Sequence, residues 1–207
     1  MPSHPQGRRW RVGGPAGATL AGAMALGATA ATALSPALTL APSVDISRMY
    51  GGWYIVATIP NSFEKGMVAP YDVYSPRLDG SLREDFYVSR GALDAPRRHF
   101  VVQDFVNPGS HGAHWGVRLF WPLKLPFLIL YVDPEYRYVL FGENNRALGW
   151  IYAREQRLDD SAYADLLRRF AAEGYDTTRF RRIVQTPDQL GKPGFWSAGI
   201  REALASK

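Results

Sequence analysis

Side chains able to do covalent or metal chemistry are few in this 207-residue chain, and their spacing suits it poorly. There is no cysteine, which removes disulfides, thiolate nucleophiles and cysteine-ligated zinc. The four histidines are His4, His99, His111 and His114. His111 and His114 stand three apart at a loop and strand start, a pair without a third ligand, so no metal site is assigned. No G-x-S-x-G or H-E-x-x-H stretch occurs, and no carboxylates cluster along the sequence. No catalytic residue and no cofactor are therefore assigned. What remains is binding chemistry. The six Trp, eleven Tyr and ten Phe are residue types that line apolar pockets. Arg118, Tyr131 and Tyr138 could meet an acidic headgroup, or else sit outward in solvent.

Charge gives little sign of a nucleic-acid partner. The formal net charge is +5, but Arg8, Arg9 and Arg11 supply three of those charges, leaving 21 basic against 19 acidic residues beyond position 43. Those arginines precede an uncharged Ala/Gly/Leu/Thr-rich run from Ala16 to Leu34, followed by small residues suited to a signal peptidase. Residues 1–43 therefore read as a signal peptide and short linker, cleaved between Ala31 and Val44, with an uncleaved anchor as the alternative. The paired arginines leave the export route open between Sec and twin-arginine. With no cysteine to acylate, the mature protein is expected to be soluble in the periplasm or secreted, and not a lipoprotein.

The elements that must position the aromatic residues follow from a period-two alternation broken by turn residues every eight to twelve positions. Expected strands are 53–59, 71–75, 82–89, 99–105, 114–121, 127–132, 136–142 and 147–154. Asp79-Gly80, Asn107-Pro108-Gly109-Ser110, Asp133-Pro134 and Asn144-Asn145 punctuate them. Connections this short exclude parallel crossovers, so an all-β, eight-stranded antiparallel up-and-down barrel is expected. One helix follows, with Tyr163, Leu166, Leu167 and Phe170 on one stripe, Asp159 as N-cap and Gly174 beyond the C-cap. Its stripe is expected against the barrel wall. Ile183-Val184 reads as a short ninth strand, and residues 188–207 as a tail without a legible role.

Three segments make the sequence specific. Val44 to Tyr54, containing Gly51-Gly52-Trp53, resembles the G-x-W opening of lipocalins, in particular the bacterial outer-membrane lipocalins and apolipoprotein D. Asp133-Pro134-Glu135-Tyr136-Arg137 resembles the second lipocalin motif, and Gly149 to Arg154 the third. The resemblance covers residues 44–187. It implies that Trp53 plugs one end of the barrel while Arg154 stacks on its indole, a contact worth about 0.5–2 kcal/mol. Parity from Arg154 then turns Trp150 and Tyr152 inward, and parity from Trp53 turns Ala57 inward. Phe86 shares a face with Leu82, Glu84 and Val88; Trp115, Val117 and Leu119 share another. A one-residue slip at a bulge would invert any of these sets. The expected ligand-binding set is Ala57, Phe86, Trp115, Val117, Leu119, Tyr131, Tyr138, Trp150 and Tyr152.

At the open end, Trp121 to Phe127 reads as an apolar loop. Phe63, Trp121, Leu123 and Leu125 there either touch a lipid surface transiently or fold over to cap the barrel. The resemblance implies a carrier or store for a fatty acid or lysophospholipid, serving envelope lipid maintenance, and no enzyme. The alternatives are a lipocalin-fold enzyme acting on a lipid or isoprenoid, or a haem or pigment carrier using His99 or His114 if either turns inward.

Overall fold

The computed structural model describes residues 36–120 and 123–201, so all but the end of the expected leader lies outside them. Trp121 also falls outside the described residues, as do the side chains of Leu119 and Leu123. Within them a one-turn helix α1 (Ile46–Met49) leads into β1 (Gly51–Thr58), β2 (Met67–Pro76), β3 (Leu82–Arg90) and β4 (Arg98–Val106). Then come β5 (His114–Phe120), β6 (Leu123–Val132), β7 (Tyr138–Gly142), β8 (Gly149–Ala153), the helix α2 (Asp160–Ala172) and a two-residue β9 (Arg181–Arg182). Each strand pairs antiparallel with its sequence neighbour, and β8 returns to β1, closing an eight-stranded barrel. β9 adds to β1 at Ala57 and Thr58, two residues earlier than the Ile183-Val184 position expected. Closure leaves no unpaired sheet edge within the barrel.

The meander sorts the hairpins into two ends. α1 and the start of β1 share one end with the β2–β3, β4–β5 and β6–β7 turns, and the remaining hairpins surround the other. The alternation of the strands builds two apolar layers. Inside lie Met49, Trp53, Ile55, Tyr74, Leu82, Trp115, Ile129, Val139 and Phe141. Outside, Val56, Leu140, Ile151 and Ala153 meet Leu166 and Phe170 of α2. Burying those two helix side chains contributes about 1.5–3 kcal/mol each. The Asp159 carboxylate accepts from the Ala162 amide at 2.7 Å and starts α2, while Gly174, at φ +80°, ends it.

Bulges decide which residues face in. The ladders shift between Ile55 and Ala57 on β1, between Val68 and Tyr71 on β2, and between Ile129 and Tyr131 on β6. Each extra residue reverses inside and outside beyond it. A second departure concerns the expected apolar loop: β6 begins at Leu123, so residues 123–127 are strand. Alternation prevails there over the turn signal of Pro126, which stands outward opposite Gly116, while Leu125 stands half-buried opposite Val117.

The segment after α2 is also structured. Leu190 and Phe195 pack with Val68, Val184 and Ile200, and the Arg182 amide donates to the Gly194 carbonyl at 3.0 Å. The chain then crosses the open end. The Gly66 amide donates to the Ala198 carbonyl at 3.0 Å, and the Arg201 amide to the Gly91 carbonyl at 2.8 Å. The tail thus ties the β1–β2 loop to the β3–β4 loop.

Candidate functional site

The floor of the barrel is built on Trp53. Its indole is fully buried, and its N–H donates to the Met49 carbonyl at 2.7 Å. The Arg154 guanidinium lies 3.8 Å from the ring centroid and donates to the carbonyls of Gly52 at 2.8 Å and Arg48 at 2.6 Å. The two glycines before Trp53 have separate reasons. Gly51 sits at φ +84°, where a side chain is strained, and a Cβ on Gly52 would fall 1.6 Å from the Tyr71 hydroxyl. At the same end, the Asp133 carboxylate accepts from the Arg137 side chain at 3.0 Å, which holds its pKa below the usual range.

Above this floor the wall is aromatic. Phe86, Trp115, Val117, Trp150 and Tyr152 face inward. Trp150 stacks on Phe127 at 4.6 Å, and Trp115 meets Tyr74 and Phe141 edge-on at 5.4 and 5.7 Å. Three residues expected on this wall are elsewhere. Ala57 lies beyond the β1 bulge and packs outward beneath α2; Thr58 takes the inward place. Tyr131 lies beyond the β6 bulge, also outside, with the Arg169 guanidinium of α2 at 3.6 Å over its ring. Tyr138 pairs with Ala153 and shares that outer face. Arg118 is outward too, donating to the Gln103 side chain at 2.9 Å. Arg118, Tyr131 and Tyr138 therefore offer no headgroup contact inside the barrel.

Neither histidine considered for a haem turns inward. His99 is exposed on β4, stacked on Tyr87 at 4.5 Å and 2.6 Å from the Asp85 carboxylate. His114 stands opposite Leu128 on the outer face.

The residues missed from the sequence are acids. Asp72 on β2, Glu84 on β3 and Asp104 on β4 all face the interior, brought together by register from positions 12 and 20 residues apart. Burial pushes all three upward: Asp72 to about 8, Asp104 to about 7, and Glu84 well above the carboxylate range. The parity of β3 groups Glu84 with Phe86 on one face; the ladder that aligns it with Asp72 and Asp104 is not legible in the sequence. A fourth acid, Glu64, comes from the β1–β2 loop. It accepts from the Trp150 indole at 2.8 Å, from Asn61 at 2.8 Å and from Thr58 at 3.0 Å. The Arg90 side chain holds the same loop through the Phe63 and Lys65 carbonyls, both at 2.7 Å. Phe63 itself projects outward, 86% exposed.

Little surface is left exposed inside the barrel. Among inward-facing residues, Trp53, Asp72, Asp104 and Trp115 expose nothing, whereas Glu84 retains 9%, Val102 8%, and Val117 and Trp150 5% each. Phe86, Leu125 and Phe127 are half-buried. A separate hollow of about 400 Å³ lies on the outside, lined by Tyr54, Tyr71, Tyr87, Arg97 and Gln156.

Residues 44–185 match the family model described as a lipocalin-like domain. Temperature-induced lipocalin-1 of Arabidopsis thaliana is 26% identical over 153 residues, covering 69% of this chain and 80% of the relative. The outer membrane lipoprotein Blc of Escherichia coli (strain K12) is 26% identical over 152 residues, covering 72% and 83%. Among solved structures, lobster apocrustacyanin A1 superposes with a TM-score of 0.55 at 20% identity, over 69% of this chain and 80% of its own. Insecticyanin of the tobacco hornworm Manduca sexta superposes with a TM-score of 0.57 at 15% identity, over 74% and 87%.

Proposed function

The chain belongs to the lipocalin-like family, and from that premise we propose that it carries or stores a small hydrophobic molecule in the barrel lumen, without transforming it. The observation supporting this most strongly is the apolar inner face of the barrel, where Phe86, Val102, Val117, Leu125, Phe127 and Trp150 stand above the buried Trp53. A fatty acid or lysophospholipid fits that wall by its acyl chain. It would enter tail first, because a carboxylate or phosphate lowered to Glu84 would meet only acids. The leader and the resemblance to envelope lipocalins support work in the periplasm or outside the cell, in lipid maintenance. Phe63 on the rim loop is the side chain placed to touch a lipid surface while ligand is exchanged.

The test is native mass spectrometry and organic extraction of protein purified from its own compartment. The expected result is a single small apolar molecule at one per chain. Protein that arrives empty, and then ignores added fatty acids and lysolipids, would contradict the proposal.

A further inference from the structure

We propose that the outer face of the barrel holds a second binding site, for a flat aromatic ring carrying a carboxylate. The site is the hollow at Tyr71, Tyr87 and Arg97. The inference stands apart from the reading of the barrel interior.

Register lines up four aromatic side chains across four adjacent strands. Tyr54 of β1 pairs with Tyr71 of β2, Tyr71 with Tyr87 of β3, and Tyr87 with His99 of β4. Trp53, Asp72 and Phe86 point inward, so alternation turns their neighbours in this row outward. The helix α2 packs elsewhere, over Leu140 and Ile151, and Tyr54, Tyr71 and Tyr87 stay half-buried. At each end of the row the rings pair closely. Tyr54 and Tyr71 lie 4.7 Å apart with planes tilted by 43°, and Tyr87 stacks on His99 at 4.5 Å. The hollow of about 400 Å³ is lined by members of both pairs. The chain makes room for its wall, because the Tyr71 ring crosses Gly52, where a Cβ would run into the Tyr71 hydroxyl. Arg97, exposed on the β3–β4 loop, reaches over the row, 5.5 Å from the Tyr87 centroid and 6.0 Å from that of Tyr71. Arg83 and His99 are both engaged by Asp85, at 2.7 and 2.6 Å, whereas Arg97 makes none of the ion pairs among the described residues.

The lining selects a guest by charge and by shape. Tyr54, Tyr71, Tyr87, Arg97 and Gln156 line the hollow, so its one charge is a guanidinium and no carboxylate in the lining competes for it. A guanidinium pairs bidentately with a carboxylate. Arg97 already rests over two rings and gives up little freedom in doing so. The other walls are ring faces and an amide, with no aliphatic side chain among them. Ring faces take a flat aromatic group in offset or edge-on contact, whereas an acyl chain loses rotamer freedom in making the same contacts. An aryl carboxylate would set its ring against Tyr71 and Tyr87 and its acid on Arg97, with the Gln156 amide there to bond a polar substituent.

The experiment compares 2-naphthoate with 2-naphthalenemethanol, which keeps the ring and lacks the charge, and with cyclohexanecarboxylate, which keeps the charge and lacks the aromatic ring. Calorimetry on the wild-type chain should show 2-naphthoate saturating at one per chain, with both comparators at least about tenfold weaker. Arg97→Gln, a change on an exposed loop, should weaken 2-naphthoate by about tenfold or more and leave the binding of a fluorescent fatty acid unchanged. Val117→Trp, inside the barrel, should do the reverse. Three results would each overturn the proposal: no binding of 2-naphthoate, binding unchanged in folded Arg97→Gln protein, or displacement of 2-naphthoate by the fatty acid. A chain that binds 2-naphthoate through Arg97 and ignores the fatty acid would support the outer site while contradicting the interior one.

Discussion

Trp53→Ala is expected to cost about 3–5 kcal/mol of stability, the range for truncating a buried aromatic side chain. Several losses act together. The indole is fully buried in the inner core, so its removal opens a cavity where the barrel is sealed. Its bond to the Met49 carbonyl disappears, leaving that acceptor of α1 unpaired inside. The Arg154 guanidinium, 3.8 Å above the ring, loses the face it covers while still held by Gly52 and Arg48. Urea unfolding measures the effect as a lower midpoint at unchanged slope. Phe63→Ala, on the exposed rim loop, is the contrast and should stay within about 0.5 kcal/mol. A Trp53→Ala midpoint within error of wild type would show that the indole does not seal the floor.

The second large effect is with pH. Asp72, Glu84 and Asp104 have pKa values raised by burial in the folded barrel, with Asp72 at about 8 and Asp104 at about 7. In the unfolded chain such carboxyls titrate near ~4. Between those limits the folded protein holds protons that the unfolded chain has released, so stability falls as pH rises from about 4 to about 8. The facing groups, Tyr74, Tyr152 and Glu64, include no cation to offset the loss. Asp133, lowered by Arg137, works in the opposite sense and costs stability only below the usual carboxylate range. The ligand-free protein should therefore melt roughly 5 °C or more lower at pH 9 than at pH 5, given about 2–4 °C per kcal/mol for a chain of this size. Asp72→Asn with Asp104→Asn should flatten that slope. A melting temperature that rises across the same range would show that the trio is not buried as described.

The fold was legible because its signals are local. The G-G-W opening, the Asp133–Arg137 turn and the Arg154 stack each combine a backbone requirement with a short-range partner, and alternation set the eight strands. The expected strand at 147–154 and the observed Gly149–Ala153 share their inward residues, Trp150 and Tyr152. The site was less legible because orientation depends on bulges. One extra residue at Val56 turned Ala57 out and Thr58 in, and one at Leu130 sent Tyr131 under α2. Bulges leave little trace in composition, so parity carried across them inverted. The acid trio was hidden for a different reason. Its members are scattered along the sequence, and only the ladder pairing Leu82 with Asp104 and Tyr74 with Glu84 gathers them. Residues 123–127 read as a loop in the sequence because two prolines outweigh a short alternation, whereas they form the start of β6.

That the lumen is where ligand binds is tested most directly by filling it. Val117 faces inward with 5% exposure, opposite Leu125, and a tryptophan there would take up interior volume without adding charge. Titration of a fluorescent fatty acid into the wild-type protein should saturate at one per chain. Val117→Trp should weaken that binding at least about tenfold, with a cooperative melt showing the barrel intact. Unchanged binding in a folded Val117→Trp protein would place the ligand outside the barrel, with the hollow at Tyr54, Tyr71 and Arg97 as the first place to look.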